Sequence, residues 1–122
     1  IEKIVTDMAR SISHRGPDSE GYWISENGKV LFGHNRLSIV DLSANGHQPM
    51  ESKNKNLTIV FNGEIYNHLQ IRERYLKNFK FNSHCDTETL LESISVLGIH
   101  KTLQLLDGMF SFVVYDKIRL KF

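Results

Sequence analysis

The chain has 122 residues, 40% of them hydrophobic, and a formal net charge of +1. That length and composition suit one domain with a packed core and exclude a disordered chain. The near-neutral balance gives no electrostatic case for nucleic acid or an anionic surface, and no run approaches the roughly 18 apolar residues of a membrane span.

The single cysteine, Cys85, excludes an intrachain disulfide and fits a reducing, cytoplasmic setting. No signal peptide is visible. The six histidines show neither His-x-x-x-His nor His-Glu-x-x-His spacing, so no metal is expected.

Ile1, Ile4, Val5, Met8, Ala9 and Ile12 share one face of a 3.6-residue period, with Glu2, Lys3, Asp7 and Arg10 opposite. This predicts an amphipathic helix laid on a core and ending near Ser13, before Gly16-Pro17. His14 to Gly21 form a turn-rich loop carrying His14, Arg15 and Asp18, either a solvated connection or a wall beside a site. Tyr22 to Ser25 and Lys29 to Gly33 are β-like runs split by Glu26-Asn27-Gly28, a hairpin signal. In His34 to Leu42, Arg36 borders an apolar run; an Arg beside a strand can grip a carboxylate through two parallel bonds. The segment from His47 to Met50 carries no chemistry that its residues reveal.

Leu57 to Phe61 predict a buried strand, which gives way to Asn62-Gly63-Glu64. Asn62 offers an amide, Gly63 an unobstructed backbone N–H, and Glu64 a carboxylate. Two donors at a strand end could hold an oxyanion, while Asn-Gly is also the commonest turn pair.

A helix is predicted from an N-cap at Asn67 to Asn78, and a short strand over Phe79 to Phe81. After a linker, a second helix starts near Thr87, with Asp86 at its N-cap, and stops at Gly98. A short helix over Lys101 to Leu106 precedes Met109 to Tyr115, which reads as a strand buried on both faces. Ile118 to Phe122 read as the start of another strand. The chain thus opens inside a helical pattern and closes inside a strand pattern, so a piece of a longer protein is expected. The order of elements favours an α+β fold with largely antiparallel pairing.

Four stretches stand in fixed order: HRGPDSEGYW at His14 to Trp23, RLSIVD at Arg36 to Asp41, FNGEIYN at Phe61 to Asn67, and SHCDTETLL at Ser83 to Leu91. Together they resemble the glutaminase domain of class II glutamine amidotransferases, in the glutamine-hydrolysing asparagine synthetase branch. DGMFSFVVYD at Asp107 to Asp116 is similar to that branch's next strand. The resemblance covers nearly the whole chain. It implies an α+β, N-terminal-nucleophile hydrolase fold: a four-layer αββα sandwich with two antiparallel sheets between helices, truncated at both ends. Residues 1–122 would be a partial glutaminase domain.

The implied reaction is hydrolysis of glutamine to glutamate and ammonia through a cysteinyl thioester, the ammonia passing to a second, ATP-dependent synthetase domain. No cofactor is implied for the glutaminase part; ATP and Mg belong to the synthetase domain. The partners implied are glutamine, that second domain and a homo-oligomeric copy, with no nucleic acid and no membrane. Arg36 would bind the α-carboxylate of glutamine and Asp86 its α-ammonium. Asn62 and Gly63 would form the oxyanion hole, Glu64 would contact the substrate, and Leu37, Ser38, Ile39 and Val40 would line the pocket.

The family's nucleophile is the cysteine that begins the mature chain, and Ile1 stands past that point. Cys85 is expected to be a packed or partly exposed thiol and no substitute, so the 122 residues alone are expected to be inactive. The same resemblance leaves open another class II amidotransferase with a sugar acceptor, or a non-catalytic glutamine- or partner-binding domain. A thiol hydrolase built on Cys85 and His84 has poor geometry, because sequence neighbours in extended chain point apart.

Overall fold

The computed structural model describes residues 2–37 and 44–122. The chain runs through helix α1 (Glu2–Ser11), strands β1 (Ser19–Ile24), β2 (Leu31–Arg36), β3 (Met50–Glu51) and β4 (Leu57–Ile65). Helices α2 (His68–Tyr75), α3 (Asp86–Leu97) and α4 (Ile99–Leu105) and strand β5 (Gly108–Asp116) follow. The architecture is α+β, and the pairing is antiparallel in both sheets: β1-β2, and β3-β4-β5.

The expected hairpin joins β1 to β2. Its turn is closed by the Gly28 N–H on the Ser25 carbonyl at 2.8 Å, with Gly28 in the left-handed region that favours glycine. Alternation then sorts β2. Phe32 is buried toward the other sheet, where Trp23 stacks with Phe32 and with Tyr115 of β5. Gly33 and Asn35 face α1: Val5 lies over Gly33, and the Asn35 amide donates to the Ala9 carbonyl.

The main core lies between the second sheet and α3. Leu57, Ile59, Phe61 and Ile65 from one face of β4 meet Leu90, Leu91 and Ile94. Alternate residues of β5, among them Phe110, Phe112 and Val114, pack against the same cluster.

Several sequence expectations need correcting. β4 does not stop before Asn62: it continues to Ile65, with Asn62, Gly63 and Glu64 paired to Ser111, Phe110 and Met109. There is no turn at Asn62-Gly63, because a long partner strand holds the polar residues in the ladder. β5 is buried on one face only, since Met109, Ser111 and Val113 are exposed. α3 begins at Asp86, which makes Cys85 the N-cap and Asp86 the first helical residue.

α2 ends at Tyr75, and 79–81 is not a strand. The Phe79 N–H turns back to the Leu76 carbonyl at 2.9 Å, and Phe79 and Phe81 stack with ring centroids 4.8 Å apart. Asn67 occupies the N-cap of α2, but its side chain instead donates to the Leu105 carbonyl and accepts from the Asp107 N–H. After β5 the chain turns and forms one isolated bridge, Asp116 to Lys121, in place of a strand. On α1 only Ala9 is buried; Ile4, Met8 and Ile12 lie more than half or half exposed, so the apolar stripe is only partly covered. Among the described residues no helix is long and apolar enough to cross a membrane.

Candidate functional site

One open cleft of about 930 Å³ runs between the two sheets and the start of α3. That is ample room for an amino acid. Arg36 and Leu37 at the end of β2, Asn62, Gly63 and Glu64 in β4, and Asp86 at the start of α3 all line it. Ser38, Ile39 and Val40 lie outside the described residues.

Each element delivers its residue for a local reason. On β2, His34 and Arg36 share the face of Phe32, which looks toward the second sheet. The loop before β1 braces this strand end: the Asp18 N–H bonds to the Arg36 carbonyl at 3.0 Å, and Arg15 lines the cleft. On β4, Leu57, Ile59, Phe61 and Ile65 face the core, so Asn62 and Glu64 fall on the opposite side and are exposed.

Gly63 is required by space and by backbone. Its φ is +143°, and a Cβ there would lie 2.2 Å from the Met109 carbonyl oxygen. Any side chain would push β4 away from β5 beside the cleft.

Asp86 is buried, and its Oδ2 accepts the Ile65 N–H at 2.9 Å. The carboxylate therefore bridges the start of α3 to the end of β4, in place of the capping role expected from sequence. The loop before it is heavily tied. The Glu88 carboxylate accepts the Asn82 N–H at 2.8 Å, the Ser83 N–H at 2.7 Å and the Ser83 hydroxyl at 2.6 Å. This varies the capping box: a glutamate in the first turn of a helix reaches back to N–H groups ahead of it. From α2, Arg72 donates to the Thr89 hydroxyl and to the Ser83 and Cys85 carbonyls, at 2.6, 2.8 and 2.8 Å. Its guanidinium also lies over the Phe81 ring, 3.7 Å from the centroid.

Cys85 reaches the cleft lining, but as a packed thiol. Its sulfur lies 2.9 Å from the Ser83 oxygen; that hydroxyl donates to Glu88, so the thiol is the donor to Ser83. Burial pushes its pKa up, and hydrogen bonding with Ser83 and with the Glu88 backbone offsets only part of this. A thiol that resists ionising is a poor nucleophile. His84 is exposed while Cys85 is buried, which leaves the pair pointing apart.

Two lining residues carried no signal in the sequence. His34 lies two positions before Arg36; its Nδ1 is buried without a hydrogen-bond partner, and burial holds its pKa below the usual histidine value. Gln48 is buried at the back of the cleft, between β4 and α3. Neither belongs to a charge pattern or a period, so only contacts across the fold identify them.

A cation, a carboxylate and a neutral amide lip around one cleft suit a small zwitterion with an amide or carbonyl end. Comparison with known proteins gives this arrangement a family. The glutamine amidotransferase domain matches residues 1–122 in full. The glutamine-hydrolysing asparagine synthetase 1 of Bacillus subtilis is 41% identical over 117 residues, covering 95% of this chain and 18% of that protein. Asparagine synthetase B of Escherichia coli, also glutamine-hydrolysing, is 38% identical over 116 residues, covering 95% and 20%. A Gibberella zeae protein named amidase chry2 is 38% identical over 119 residues, covering 98% and 17%. The chain thus spans about a fifth of the length of these relatives. It belongs to the glutamine amidotransferase domain family, in the class II, asparagine-synthetase-like branch.

Proposed function

We propose that this domain binds glutamine in the cleft and, within a longer protein, hydrolyses it to glutamate and ammonia. The observation that carries the reading is the shared cleft of Arg36, Asn62, Gly63 and Asp86 in a chain of this family. Arg36 takes the α-carboxylate, Leu37 lines the pocket beside it, and Asp86 takes the α-ammonium. Because Asp86 Oδ2 already holds the Ile65 N–H, Oδ1 is the oxygen assigned to the ammonium. Glu64 contacts the substrate.

Asn62 and Gly63 stabilise the oxyanion that forms when a thiolate attacks the carboxamide carbon. Collapse of that intermediate breaks the C–N bond: the amide nitrogen takes up the proton that the thiol gave up and departs as ammonia, which leaves a thioester. Water then cleaves the thioester to glutamate and regenerates the thiol. The nucleophile of this scheme is the N-terminal cysteine that the family resemblance implies. Cys85 is buried and held as its thiol, and it is the only cysteine among the 122 residues, so these alone leave glutamine intact.

The same reading gives the domain the four-layer αββα sandwich; α1 against β2, β2 against β4 and α3 against β4 support that order of layers. It assigns ATP and Mg to a second, synthetase domain, places the protein in the cytoplasm and admits a homo-oligomer. A different acceptor is the second reading, favoured by the Gibberella zeae relative, whose name is not that of an asparagine synthetase.

The test is glutamate release from glutamine by the full-length protein. Arg36→Ala is expected to raise KM at least tenfold, consistent with about 1.5–3 kcal/mol for a hydrogen bond to a charged group. A wild-type protein that releases no glutamate, or an unchanged KM in the variant, refutes the assignment.

A further inference from the structure

Gln48 is buried, yet it belongs to neither the motifs nor the core cluster. Its position follows from strand register. β3 pairs Met50 with Ile59 and Glu51 with Thr58. Continuing that register two residues places Gln48 opposite Phe61, beyond the end of the ladder. There the Gln48 side chain substitutes for a strand carbonyl: its Oε1 accepts the Phe61 N–H at 2.7 Å. Its Nε2 donates to the Thr87 hydroxyl at 3.4 Å. β1 closes from a third side, where a Cβ on Gly21 would sit 1.8 Å from the Gln48 carbonyl oxygen.

The two anchor points matter because of what adjoins them. Phe61 immediately precedes Asn62 and Gly63, and Thr87 immediately follows Asp86. We propose that Gln48 is a positioning residue that fixes the distance between the amide lip on β4 and the carboxylate on α3. The amide suits the task, since one planar group supplies an acceptor and a donor on opposite sides. A carboxylate would keep the acceptor and lose the donor, and an aliphatic side chain would lose both.

This inference rests on the glutamine reading of the site. A guest held at its ammonium by Asp86 and reacting at a carboxamide beside Asn62 is sensitive to that spacing. Misplacement by about 1 Å can cost on the order of a hundredfold in rate.

The experiment compares Gln48→Met and Gln48→Glu with wild type in the full-length protein, measuring kcat and KM for glutamate release alongside thermal melting. The Met variant, folded at the assay temperature, is expected to lose roughly ten- to a hundredfold in kcat/KM, with both constants changed. The Glu variant is expected to recover part of that loss by keeping the Phe61 bond. Wild-type kinetics in a folded Met variant overturns the inference. So does a loss that follows the folded fraction alone with KM unchanged. If the Met variant does not fold, the Glu variant decides: wild-type kinetics overturns the inference, and a reduced kcat/KM with an altered KM supports it. A wild-type protein that releases no glutamate is a distinct result, which removes the glutamine reading itself.

Discussion

At Asp86 a single carboxylate is assigned two tasks that substitution can separate. Its Oδ2 holds the Ile65 N–H at the end of β4, and the proposed function gives Oδ1 to an ammonium. Asp86→Asn keeps a carbonyl oxygen for the first task and removes the charge needed for the second. The expected result is a melting temperature close to wild type with KM for glutamine raised at least tenfold, as for a charge-assisted bond worth about 1.5–3 kcal/mol. Asp86→Ala also orphans a buried N–H and is expected to lose about 1–3 kcal/mol of stability in urea denaturation. If the Asn variant matched wild type in both measurements, the carboxylate would be structural only. Asn62 is legible in sequence because its polarity ends the apolar run Leu57 to Phe61, and Arg36 because it borders one; Asp86 reads from pattern alone as a helix cap, and only the resemblance of SHCDTETLL gives it a substrate role. Gln48 is not legible, because its role is a lateral bond to a strand 13 positions away.

The elements closest to the cleft depend on bonds between their ends. Arg72, on α2, spans the loop that leads into α3 and satisfies two of its carbonyls while stacking on Phe81. Its three donor groups act in one plane, a geometry that the point charge of a lysine cannot reproduce. Arg72→Lys is therefore expected to destabilise the fold by roughly 1–3 kcal/mol, the cost of a buried acceptor left unpaired. Arg72→Ala should cost more, because the Phe81 stack is also lost. Equal stability of wild type and the Lys variant in urea melts would show that the planar fork is not needed.

The same junction shows where sequence pattern stops informing. Periodicity finds α2 and α3 as helices, but it carries α2 through Asn78, since Tyr75, Leu76 and Phe79 continue the apolar face. The turn at Leu76 wins because Phe79 packs beneath Lys53, a cation supplied from another part of the chain, while Phe81 folds back beneath Arg72 of α2 itself. Likewise β4 extends past its apolar run because β5 pairs with it throughout its length.

Across the whole molecule, two partly buried imidazoles sit near the site: His34 lines the cleft, and His68 on α2 meets the Thr89 hydroxyl of α3. Burial lowers the pKa of His34, with the charges of His47 and Arg36 acting the same way and the Phe61 backbone opposing. Burial also lowers that of His68; Asp86 opposes and Arg72 reinforces. In the unfolded chain both would titrate near about 6.5. As pH falls below that value, the unfolded chain takes up protons that the folded one still refuses, so stability falls. Above it, both states are neutral and the contribution is constant. Glu92 acts in the opposite sense: burial raises its pKa, so the folded state gains stability as pH falls toward the ordinary carboxylate range. The net acid limb therefore mixes signs, and a variant is needed to isolate one group. His34→Gln cannot titrate, so its stability relative to wild type should be constant above about pH 7 and should improve steadily between about pH 6.5 and 5. Urea denaturation at half-unit steps measures this difference directly. A flat difference across that range would mean that His34 titrates alike in both states, and the closed environment assigned to it beside Arg36 would be wrong.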